Sequence, residues 1–156
     1  MKRTISAALF VLGLGLTAAS QENGLNISAE EIIGTYYVSH GGENSKVRIF
    51  RDSDGTFTAR VIWVENKFDR NGNVRLDEKN PDKSLRDTPC DSIVLIEDLV
   101  FNSGKKRWDS GKIYDPTRGI RANLTCSFES PSRLKVRGSL MGIGETVFWK
   151  KIGQEQ

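Results

Sequence analysis

The stretch "RANLTCSFESPSRLKVRGSL", Arg121–Leu140, decides the fold. Ala122, Leu124, Cys126 and Phe128 stand at every second position, with Asn123, Thr125, Ser127 and Glu129 between them. A side-chain period of two belongs to an extended strand with one face buried. "SPS" at Ser130–Ser132 then turns the chain. Beyond it Leu134, Val136 and Leu140 alternate with Arg133, Lys135 and Arg137. Two such runs joined by a short polar turn form an antiparallel hairpin.

The same pattern extends in both directions. Upstream, "GTYYVSH" from Gly34 ends at Gly41-Gly42, and "KVRIFR" closes on the turn "DSDG" at Asp52–Gly55. "TFTARVIWVE" follows, with Phe57, Ala59, Val61 and Trp63 assigned to one face. "SIVLIEDLVF", "RWDSGKIY" and, at the end, "ETVFWKKI" complete about eight strands. No strand–helix alternation occurs, which excludes a parallel sheet. Sequential hairpins with one apolar face each predict an all-β, up-and-down antiparallel barrel, because closure removes exposed edges. A two-sheet sandwich is the alternative. "SAEE" at Ser28–Glu31 reads as a capping box opening a short N-terminal helix that stops at Gly34.

The leader bounds the compartment. Lys2 and Arg3 precede an apolar run from Ile5 to Leu16, then "TAAS". That order is a secretory signal peptide, residues 1–20. The run is too short for a membrane span of about 20 residues. Removing 20 of 156 residues leaves 136, one domain at 21–156. Losing Lys2 and Arg3 from 23 basic residues leaves 21 against 20 acidic ones. This balance gives no general attraction to nucleic acid. The expected location is periplasmic or secreted. An oxidising space permits a disulfide between Cys90 and Cys126, of about 3–4 kcal/mol if formed. Equally, Cys126 on an apolar face reads as a small hydrophobe.

Three segments carry a resemblance. "NPDKSLRDTP", "KIYDPTRG", and "LKVRG" followed by "FWKK" occur in that order. They resemble the bacterial exported proteins grouped as domain of unknown function 2147, over roughly Gly34 to Lys151. The resemblance implies a lipocalin-like barrel and no particular activity. Members often begin the first strand with Gly-x-Trp; here it is Gly34-Thr35-Tyr36. A Tyr plugging the barrel end needs a partner for its hydroxyl.

Candidate sites follow from the strand pattern. The long insertion, residues 66–91, is expected to cap one barrel mouth. Within it Asn80 precedes Pro81 in a turn, and Arg86 is placed to fold back on Asp77 or Asp82 as a bidentate pair. "FDRNGNVRLDEKN" matches a calcium loop poorly, since Gly72 comes early and Asn80 replaces the terminal Glu. No metal or cofactor is expected. In "YDPTRG" Asp115-Pro116 begins and Gly119 ends a turn that reads first as a hairpin connection, with Tyr114 and Arg118 placed to contact a ligand at the rim. Trp63 and Trp149 share faces with Val61 and Val147 and read as inward core packing, or as lining of an apolar pocket if the lumen is not filled, and Arg137 is either solvated or an internal answer to a carboxylate ligand. His40 is the one His, beside a Gly-Gly turn, and no nucleophile elbow or phosphate loop appears. The leading function is a non-enzymatic module binding a small apolar or amphipathic ligand. The alternatives are an interaction or inhibitor module with an envelope-protein partner, and a carboxylate-based hydrolase or isomerase.

Overall fold

A computed structural model describes residues 27–153, so the leader lies outside the described residues. Eight strands run in order: β1 Gly34–His40, β2 Glu43–Arg51, β3 Phe57–Val64, β4 Val94–Asn102, β5 Arg107–Asp115, β6 Ile120–Ser130, β7 Arg133–Leu140 and β8 Ile143–Gly153. Each pairs antiparallel with the next, and β8 returns to β1, closing the barrel. The decisive hairpin has the expected register, with Thr125 opposite Arg137 and Cys126 opposite Val136. Closure is tight where β1 begins. A Cβ on Gly34 would lie 2.5 Å from the carbonyl oxygen of Gly153, and its φ of +147° suits glycine.

The turns at 52–56, 103–106 and 131–132 share one end of the barrel with the chain entering β1. This end is plugged. The expected helix is a four-residue 3-10 turn, Ala29–Ile32. Ser28 caps through its backbone carbonyl, which accepts from the Glu31 amide at 3.2 Å, and its side chain makes no cap bond. Tyr36 is fully buried, and its hydroxyl donates to the Ile32 carbonyl at 2.8 Å. Burial pushes the Tyr36 phenol far above its ordinary range. The Trp108 indole donates to the Ala29 carbonyl at 3.2 Å, and Lys151 Nζ to that of Glu31 at 2.5 Å. Phe101 and Phe128 flank the Trp108 ring, at centroid distances of 5.0 and 5.7 Å. Fully burying a side chain of the size of Phe contributes about 1.5–3 kcal/mol; Trp108 is fully buried, and Phe101 and Phe128 are partly buried against it.

Strict alternation fails in three strands, each time at a bulge. In β3, Val47 faces Val61 but Lys46 faces Trp63, so Ile62 is an extra residue. The phase flips there: Trp63 turns outward, 40% exposed, and Val64 turns in. The expectation that Trp63 faces inward is therefore corrected. Its ring lies under Lys46 Nζ, 5.4 Å from the centroid. Asp98 in β4 and Ser110 in β5 take positive φ, 55° and 65°. They lie within opposing stretches of the two strands, so Ile96 and Leu99, and Trp108 and Gly111, bury together across outward pairs.

Candidate functional site

The other end of the barrel carries the Gly41-Gly42 turn, the long β3–β4 loop, the β5–β6 turn and the β7–β8 turn. The long loop is built as a flap. Asp69 Oδ1 accepts the amides of Asn71 and Asn73 at 2.8 and 2.9 Å, making "DRNGN" a turn. Phe68 and Val74 then pair, as do Leu76 and Pro89. No cluster of His, Cys, Asp or Glu able to hold a metal occurs among the described residues.

A buried hydrogen-bond chain clasps this flap to β5. Asp77 and Asn80 are each only 3% exposed. The Tyr114 hydroxyl donates to Asp77 Oδ1 at 2.7 Å, and Asn80 Nδ2 donates to Asp77 Oδ2 at 2.8 Å. Burial and the Asp77 carboxylate together hold the Tyr114 phenol well above its ordinary range. Asn80 Oδ1 accepts the Asp82 amide at 2.9 Å. Arg86 does not pair with Asp77 or Asp82: its Nε donates to the Asn80 carbonyl at 2.8 Å. Asp77 instead accepts from Tyr114 and Asn80, and Asp82 caps the 3-10 turn Lys83–Leu85 through Ser84. Lys79 Nζ donates to the Thr117 carbonyl at 2.7 Å. Gly119, at φ +67°, lets the Lys79 carbonyl approach to 2.3 Å from where a Cβ would stand. The "NPDK" and "YDPTRG" segments thus meet in space.

Behind the clasp lies a cavity of about 250 Å³. Val38, Val61, Val64, Ile113, Val136 and Trp149 form much of its apolar wall. Gly138 keeps it open, since a Cβ there would already meet Ile113 Cγ2 at 3.3 Å. The rim is charged. Arg75 binds Glu43 with both terminal nitrogens. Arg118 Nε donates to Asp115 Oδ2 at 2.6 Å, and its Nη2 to Glu145 Oε2 at 2.8 Å. Burial raises the Asp115 carboxyl, but bonds donated by Thr117 and Arg118 outweigh it and hold the group below its ordinary value. His40 stands between, with Nε2 4.0 Å from Asp115 and Nδ1 4.0 Å from Glu145.

Of the residues expected at a site, Asp77, Tyr114 and Asp115 line this cavity. Asn80 and Arg86 order the flap behind it. Arg137 points outward and donates to Thr146 Oγ1 at 3.3 Å, because β7 keeps its alternation. Cys90 and Cys126 are free, so of the two readings the small hydrophobe, not the disulfide, describes Cys126. Cys126 lies on β6, opposite Trp108 and Val136, whereas Cys90 sits in the flap and donates to the Lys67 carbonyl at 3.7 Å. Burial pushes the Cys126 thiol far up.

Glu43, Arg75 and Glu145 were not anticipated, yet two of them carried a signal. Glu43 and Ser45 fall in phase with Val47 and Ile49, and Glu145 with Val147 and Trp149. A carboxylate in phase with core positions, near a strand end, marks a mouth.

The sequence model of a family described as "Uncharacterized protein conserved in bacteria (DUF2147)" matches residues 34–151. No curated protein matches the chain. A solved structure of a Helicobacter pylori protein, described as belonging to the lipocalin family, superposes with a TM-score of 0.63 at 26% identity. The match covers 78% of this chain and 83% of that one.

Proposed function

The chain belongs to the DUF2147 family of bacterial proteins, and from that premise we propose that it is a small-ligand-binding barrel whose apolar or amphipathic ligand enters beside the flap. The observation that carries this reading is the cavity of about 250 Å³, apolar inside and charged at its mouth, in a barrel otherwise filled at its far end. Ligand sites in proteins share that plan of apolar walls with a few placed polar groups. The likeness to a barrel described as a lipocalin supports it. The reading is one of holding, not of catalysis, and it includes export by the leader at residues 1–20. Retention of Met1 in the intact mass of exported protein would contradict the export part.

Trp149 reports on the cavity wall, while Trp63 reports on the outside. In a Trp63→Phe chain, extracts of the native envelope or synthetic amphipaths should change the remaining emission. A Gly138→Val chain, folded by circular dichroism, should lose that response as the added side chain fills the space. Emission unmoved in both chains, with nothing retained in native mass spectrometry, would overturn the binding reading.

A further inference from the structure

The charges of the mouth go further than the cavity itself. This inference rests on the binding reading and names the ligand class. Four carboxylates line the cavity, those of Glu43, Asp77, Asp115 and Glu145, against two guanidinium groups, those of Arg75 and Arg118. Both guanidiniums are already engaged, Arg75 by Glu43 and Arg118 by Asp115 and Glu145. An anionic head group would have to break one of these pairs. Two guanidiniums thus serve three carboxylates, and the fourth, Asp77, has none, so the lining carries two more negative groups than positive ones. Asp77, 97% buried by its 3% exposure, accepts only from the neutral Tyr114 and Asn80 donors. Glu145 Oε1 faces His40 Nδ1 at 4.0 Å, beyond hydrogen-bond distance. Buried charge is stabilised by an opposite charge, and a low-dielectric cleft of one sign draws in the other.

We propose that the cavity binds an amphipathic cation, an ammonium head on a short alkyl or aryl body. The head lies at the mouth against Glu145 and Asp115, within the field of Asp77. The body lies along Val38, Val61, Val136 and Trp149. A cavity of about 250 Å³ admits a small amphipath, and an octyl chain serves as the probe. Exposure of Glu145 makes the charge preference sensitive to salt.

The test titrates the folded mature protein calorimetrically with octylammonium, octyltrimethylammonium, octanol and octanoate. Octylammonium is expected to bind about tenfold more tightly than octanoate at low salt, the preference shrinking as salt rises. Octanol or octanoate binding as tightly as octylammonium would overturn the cation assignment and leave the cavity reading standing. Failure of all four probes, with native extract equally silent, would overturn both. Glu145→Lys should shift preference toward octanoate, and Glu145→Gln should narrow it. An unchanged preference in whichever of these melts like the parent would overturn the placement of the head.

Discussion

Replacing Tyr114 by Phe removes one oxygen and nothing else from the clasp. The ring stays, so the packing of β5 is kept. What is lost is the hydroxyl that donates to Asp77 Oδ1 at 2.7 Å, between two groups that are each 3% exposed. The Asp77 oxygen then loses that donor at a position only 3% exposed. Hydrogen bonds to charged groups contribute about 1.5–3 kcal/mol, and stranding a buried acceptor costs a similar amount. The expected destabilisation is therefore about 2 kcal/mol. At about 4 °C per kcal/mol for a domain of this size, the melting point should fall by about 8 °C. Hydrogen exchange should locate the loss. The amides of Asp77 and Asn80, bonded to the carbonyls of Thr88 and Asp77, should exchange faster before the strands do. Tyr37→Phe, on the outer face of β1, serves as the control. A Tyr114→Phe chain within about 0.5 kcal/mol of the parent, with flap exchange unchanged, would refute the clasp.

Gly119→Ala should cost more than about 1 kcal/mol through its positive φ alone. The clash with the Lys79 carbonyl adds to that, and a denaturant midpoint equal to the parent's would contradict it. Alkylation after unfolding without reductant should add two labels, at Cys90 and Cys126. In the folded protein Cys126 should resist thiol reagents, since burial suppresses its thiolate; prompt native labelling there would be contrary. Acid should destabilise the flap. Bonds donated by Ser84 lower the Asp82 carboxyl, the Lys67 ammonium lowers Asp91, and the Asn73 amide lowers Asp69. Folded values below the unfolded ones mean that the unfolded chain binds more protons in between. This stability is present above about pH 4 and lost as pH falls through the folded values. Flap exchange independent of pH-induced unfolding below pH 4 would oppose this.

The alternation in Arg121–Leu140 and its counterparts determined strand number, direction and the inward face of most strands, because a period of two is a local property that burial on one side enforces. It also fixed the need of Tyr36 for a partner, which Ile32 meets. Tertiary structure alone decided what depends on neighbours distant in sequence. The bulge at Ile62 turned Trp63 outward because β2 and β3 pair out of step there. Arg86 donates to the Asn80 carbonyl rather than to either carboxylate. Asp77 met Tyr114 across 37 positions, joining flap to barrel through two polar groups that neither periodicity nor charge pattern could match. Buried polar partners are chosen by where the closed fold leaves a donor facing an acceptor away from water, and that geometry exists only once the barrel has formed.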